Sequence, residues 1–133
     1  MVRERFEPIS GKCGDILEYL MSSDIVSSFN DDLQFKVRLC AEEVIENIVN
    51  YAYKPADGFL ELILHLEDGK FTMTFKDAGV KFDPLAKPDP DITLSLEDRP
   101  IGGLGIFLCK QMMDDVSYKY EGDMNILSMS IKV

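Results

Sequence analysis

The apolar positions along this chain keep to one of two periods, and each change of period marks a predicted element. Residues 2–9 suit a short edge strand. Ser10-Gly11 then offers a helix start, and Ile16, Leu17, Leu20, Met21 and Ile25 recur at spacings of three and four. That predicts a helix over about 12–28. Asn30-Asp31-Asp32 is the next capping signal. The stripe Leu33, Val37, Cys40, Ala41, Val44, Ile45, Ile48 and Ala52 predicts a long helix over about 32–53. Pro55 and Gly58 punctuate its end. The period then falls to two. Leu60, Leu62, Leu64 and Leu66 share one face of a strand over 59–66, and Phe71, Met73 and Phe75 share one face of a strand over 70–76. Between them, Asp68-Gly69 signals a type I′ hairpin turn.

After Asp77 no period survives. Residues 78–101 hold four of the six prolines and read as one long loop. Loops of that length inside a small domain are usually functional or mobile. A helix follows over about 104–115, with Leu104, Phe107, Leu108 and Met112 inward and Met113 a further candidate for that face. Two closing strands, about 116–121 and 124–132, turn at Glu121-Gly122-Asp123. The order predicts an α/β (α+β) two-layer sandwich, with one mixed, mostly antiparallel sheet and three helices on a single face. At 133 residues the chain is expected to form one domain, 1–133, with a core that needs no disulfide or structural metal.

Charge narrows the partners. Fourteen Lys and Arg against 24 Asp and Glu leave a formal net charge of −10. That argues against nucleic acid and against anionic membranes, both of which call for a basic surface. It leaves room for a phosphate ligand held by backbone amides and a cation. The cysteines, Cys13, Cys40 and Cys109, have no metal-knuckle spacing and read as reduced thiols of a cytoplasmic protein. No apolar run approaches membrane length, and Met1-Val2-Arg3-Glu4-Arg5-Phe6-Glu7, having no apolar stretch, is not expected to act as a secretory leader.

Three places carry candidate chemistry. On the long helix, Glu43, Asn47 and Asn50 fall at i, i+4 and i+7, within about 60° of one another on an α-helix. A carboxylate there can accept a proton, and a carboxamide oxygen suits a magnesium ion that keeps its waters and phosphate oxygens. Asp77-Ala78-Gly79 closes a strand, where an Asp can accept from an exocyclic amine and a Gly lets a flat ring approach the backbone. Gly102-Gly103-Leu104-Gly105 opens the last helix and exposes backbone N–H groups that suit phosphates. Taken singly, each has a bland counterpart: a solvated helix edge, a strand-to-loop turn, a hinge.

Their order along the chain resembles the GHKL, or Bergerat-fold, ATP-binding domain, over about residues 10–130. Among its branches the chain looks most like the stand-alone anti-sigma-factor serine/threonine kinases. The helix motif stands here as Glu42-Glu43-Val44-Ile45-Glu46-Asn47-Ile48-Val49-Asn50-Tyr51-Ala52-Tyr53. The adenine motif stands as Lys76-Asp77-Ala78-Gly79-Val80-Lys81-Phe82-Asp83-Pro84, and the phosphate motif as Ile101-Gly102-Gly103-Leu104-Gly105-Ile106-Phe107-Leu108.

The resemblance implies that Asn47 ligates Mg2+, with Asn50 beside it, and that Glu43 orients or deprotonates the attacking hydroxyl. It implies that Asp77 binds the adenine amine, with Gly79 and Phe82 near the ring. Gly102, Gly103, Leu104 and Gly105 would cradle the phosphates, residues 83–101 would form the ATP lid, and Arg99 would reach the γ-phosphate. Two positions depart from the pattern. Lys81 stands where many members have a second glycine. Asn125 and Ser128 are both candidates for a threonine that many members place near adenine. The implied substrate is a small STAS-type anti-anti-sigma protein, with a sigma factor as second partner and a homodimer compatible with both. The alternative is an ATP-gated binding regulator with little or no kinase activity. A histidine-kinase fragment ranks behind these, because the one histidine, His65, falls inside a predicted strand.

Overall fold

A computed structural model describes residues 1–53, 58–86 and 104–133 of the chain. Strand β1 (Val2–Phe6) is followed by helices α1 (Cys13–Ser22), α2 (Asp24–Ser27) and α3 (Asp31–Asn47). A single wide π turn, Ile48–Ala52, continues α3. Strands β2 (Leu60–Glu67) and β3 (Lys70–Asp77), helix α4 (Leu104–Met112), and strands β4 (Asp115–Glu121) and β5 (Met124–Lys132) complete the order.

The five strands form one sheet in the order β1-β2-β3-β5-β4, and every neighbouring pair is antiparallel. Register aligns the alternating apolar positions into rows: Leu62 opposite Phe75 opposite Leu127, and Leu64 opposite Met73 opposite Met129. These rows are buried together with Val37, Cys40, Ala41, Val44 and Ile45 of α3 and with Ile106 and Cys109 of α4. The core therefore lies between one sheet face and the helices, as the two-period pattern requires. The other face is open, and Thr74 Oγ1 meets Ser128 Oγ there at 3.0 Å.

Local chemistry sets the turns and ends. Asp68 and Gly69 both have positive φ, 53° and 72°, the I′ geometry expected of that dipeptide. Gly122 and Asp123 repeat it at the β4–β5 turn, each with φ 60°. Asn30 caps α3, its Oδ1 accepting from Leu33 N–H at 2.8 Å.

Three elements differ from the periodicity reading. Helix α4 ends at Met112, and the buried positions there are Ile106, Cys109 and Met113, while Phe107, Leu108 and Met112 are only half-buried. The helix expected over 12–28 is broken at Ser23, whose backbone is extended. Its hydroxyl donates to Leu20 O at 2.8 Å and accepts from Val26 N–H at 3.2 Å, so one side chain closes α1 and opens α2. The α-helix expected to reach residue 53 gives way to the π turn after Asn47.

Candidate functional site

Beside the end of β3, where α3 and its π turn cross the sheet, a cavity of about 710 Å³ opens. That volume is ordinary for a small-molecule site. Glu43 and Asn47 line it from α3, Asp77 from β3, Phe82 from the loop beyond, Ile106 from α4 and Asn125 from β5. Its rim is apolar and wet: Tyr51 is 65% exposed, Val80 64% and Phe82 45%. Exposed apolar surface gathered around a concavity marks a place where something binds.

Asp77 and Asn125 face each other in register across β3 and β5 and are both buried. Asp77 Oδ1 accepts from Asn125 Nδ2 at 3.0 Å and from Gly79 N–H at 2.9 Å. Oδ2 receives no donor among the described residues, which leaves it as the acceptor for a group entering the cavity. Burial pushes the Asp77 carboxyl above its ordinary value, and the two hydrogen bonds pull part of the way back.

Asn125 uses its full hydrogen-bonding capacity. Its Nδ2 also donates to Val80 O at 2.9 Å, and its Oδ1 accepts from Phe82 N–H at 3.1 Å and Tyr118 O–H at 2.6 Å. Val80 O can only accept and Phe82 N–H can only donate, so the amide has one orientation that satisfies both. Of the two C-terminal candidates, Asn125 thus lines the cavity with its amide fully engaged. Ser128 lies on the opposite sheet face, against Thr74.

The loop after Asp77 is tied down from the π turn. Val80 N–H donates to Ala52 O at 2.8 Å. Gly79 packs so closely that a Cβ there would overlap the Ala52 carbonyl, with Ala52 Cβ 2.7 Å away. Tyr53 OH donates to Phe59 O and accepts from Ala78 N–H, each at 2.8 Å. Tyr53 closes the helix motif in the sequence, but no local pattern reveals that its hydroxyl reaches across to Ala78.

On the other wall, Asn47 Nδ2 donates to Glu43 Oε1 at 3.3 Å, which turns Asn47 Oδ1 away from that bond and leaves it open. Gly105, in the first turn of α4, lies against the Glu43 carboxylate. Asn50 sits in the π turn, is exposed, and is not among the described cavity walls. Leu104 opens α4. Arg99, Gly102, Gly103 and the expected lid beyond residue 86 lie outside the described residues. The structure thus gathers Glu43, Asn47, Asp77 and Phe82 around one cavity, with Gly79 and Gly105 packed against its walls.

Among the described residues, no group of three or more His, Cys, Asp or Glu side chains is placed to hold a metal ion. A cation here would rest on the Asn47 oxygen and on oxygens that a ligand brings, which suits a hard ion that keeps several waters. Among the described residues, no helix is long and apolar enough to cross a membrane.

Known proteins are similar to this chain over most of its length. The model of the histidine kinase-like ATPase domain matches residues 18–131. The serine/threonine-protein kinase BtrW of Bordetella bronchiseptica is 28% identical, over 87% of this chain and 82% of its own length. The serine-protein kinase RsbW of Bacillus cereus is 29% identical, over 93% of this chain and 84% of its own length. The protein of the same name from Bacillus thuringiensis matches at the same identity and coverage.

Proposed function

Because the chain belongs to the histidine kinase-like ATPase domain family, we propose that it is an ATP-dependent serine/threonine protein kinase of the anti-sigma-factor type. Its substrate on this reading is a small STAS-type regulatory protein, and a sigma factor is its second partner. The names of the relatives, at 28–29% identity, support the kinase reading. The observation that carries it is Asp77, a buried carboxylate locked by Asn125 and Gly79 with one oxygen left toward a ligand-sized cavity.

Each residue then has a part. Asp77 Oδ2 accepts from the exocyclic amine of adenine, and a carbonyl in that place would meet a carboxylate and be repelled. Phe82 and Val80 cover the ring. Asn47 offers its carboxamide oxygen to Mg2+, which when bound supplies neutralising charge to the phosphates. The amides of Leu104 and Gly105, with Gly102 and Gly103 before them, hold the phosphates at the positive end of α4. Arg99 approaches the γ-phosphate. Glu43 takes the proton of the attacking serine or threonine hydroxyl as its oxygen bonds to the γ-phosphorus. The bond from that phosphorus to the bridging oxygen breaks, and ADP leaves. The three cysteines form no disulfide and two are buried, which suits the reducing cytoplasm.

The test uses γ-labelled ATP and candidate STAS-domain proteins. Label on the partner, lost with Glu43→Gln, is the expected result. Wild-type transfer by Glu43→Gln refutes the role of that carboxylate. A tight, nucleotide-dependent complex with no labelled partner turns the reading into the ATP-gated regulator instead.

A further inference from the structure

We propose that Gly105 is a positioning residue for Glu43: the first turn of α4 lacks a side chain there so that the Glu43 carboxylate can occupy the vacant space. A Cβ built on Gly105 would lie 2.6 Å from Glu43 Oε1 and closer still to Cδ and Oε2. No other residue contributes to that clash among the nearest atoms. The backbone of Gly105 does not itself call for glycine. It stands in a right-handed helix, which any L-residue adopts, and its φ is not positive. Glycine is moreover a poor helix former, so α4 carries a propensity cost at this position.

What the missing side chain supplies is a floor for the carboxylate. Glu43 has three rotatable bonds, and its hydrogen bond from Asn47 is long at 3.3 Å. That bond alone leaves the carboxylate free to swing. Packing against Gly105 removes the remaining freedom and holds the negative charge beside the positive end of α4. The placement of Glu43 is thus coupled to α4, the helix that follows the glycine run.

The inference rests on the reading of Glu43 as proton acceptor, but its decisive test does not. Because the neighbour is the end of a flexible side chain, Gly105→Ala is expected to fold. A cycle of thermal melts on the full chain compares Gly105→Ala in the wild-type and Glu43→Ala backgrounds. With Glu43 present, the added methyl should lower the midpoint or leave it unchanged. With Glu43 removed, the same methyl should raise the midpoint by a few degrees, since alanine favours the helix and the clash is gone. Equal effects in the two backgrounds overturn the proposal.

A second readout separates positioning from folding. Gly105→Ala should bind Mg-ATP within about threefold of wild type, because the backbone N–H remains. Its turnover of γ-labelled Mg-ATP, with water as acceptor, should fall roughly 10- to 100-fold. In a Glu43→Gln background the same substitution should cost nothing further. Coupled melts alongside a Glu43→Gln that turns over like wild type would refute the base reading instead. Loss of Mg-ATP affinity in Gly105→Ala with unchanged turnover would overturn the positioning role.

Discussion

Replacing Asn125 with alanine would strip the cavity of the group that orients it. Four hydrogen bonds go at once, to Asp77 Oδ1, Val80 O, Phe82 N–H and Tyr118 O–H. The bond to the ionised Asp77 is worth about 2 kcal/mol and each neutral bond about 1 kcal/mol net. Val80 and Phe82 are 64% and 45% exposed, so water recovers much of what they lose. A destabilisation of about 3 kcal/mol remains, roughly 9–15 °C in melting temperature for a domain of this size. Asp77 would keep only Gly79 as a donor and its carboxylate could turn, so Mg-ATP affinity should drop about 10- to 100-fold. Thermal melts and titration calorimetry with Mg-ATP read the two quantities separately. Asn125→Asp sharpens the test by setting a second carboxylate against Asp77. That variant should be least stable at neutral pH and recover as the pH falls and one carboxyl takes a proton. An Asn125→Ala protein that melts within 2 °C of wild type and binds Mg-ATP unchanged would refute the assignment of the amide as the organiser of this site.

Three further outcomes follow from the same geometry. Asp77→Asn should raise the melting temperature of the nucleotide-free protein at pH 7 while abolishing the shift produced by Mg-ATP. Burial raises the folded pKa of Asp77, so its favourable contribution is fully present below the unfolded value, near 3.8, and is lost as pH rises through the folded value. The gain from Asp77→Asn should therefore vanish as the pH is lowered, and a constant gain across that range would contradict the stated cause. Gly79→Ala meets a backbone carbonyl that cannot swing aside, so it should cost about 1–3 kcal/mol in denaturant titrations and weaken Mg-ATP binding. Ser128→Ala removes a contact on the open sheet face, and both stability, within about 0.5 kcal/mol, and nucleotide affinity should be spared.

Much of the architecture was readable locally. The alternation in 60–66 and 71–75, the Asp68-Gly69 turn and the Asn30 cap each act through neighbours in sequence, and the structure keeps all of them. The break at Ser23 was not readable, because Ile25 prolongs the helical spacing while the Ser23 hydroxyl captures the backbone on both sides. Nor was the π turn. An α-helical count sets Asn50 beside Glu43 and Asn47, but the wider turn after Asn47 leaves Asn50 exposed and lets Ala52 reach Val80.

Composition, period and motif order were enough to determine the layers, the antiparallel hairpins and the family of this chain, since these depend on side-chain patterns a few residues long. Tertiary structure decided which residues line the cavity. Asn125 rather than Ser128 enters the cavity because β5 pairs with β3 so that Asn125 stands opposite Asp77, 48 residues away. In a strand, parity alone assigns a side chain to the core or to the open face, and pairing register sets that parity. Glu43 meets Gly105 for a similar reason: α3 and α4 pack side by side on the sheet, and the place where one lacks a side chain is where the other puts its carboxylate.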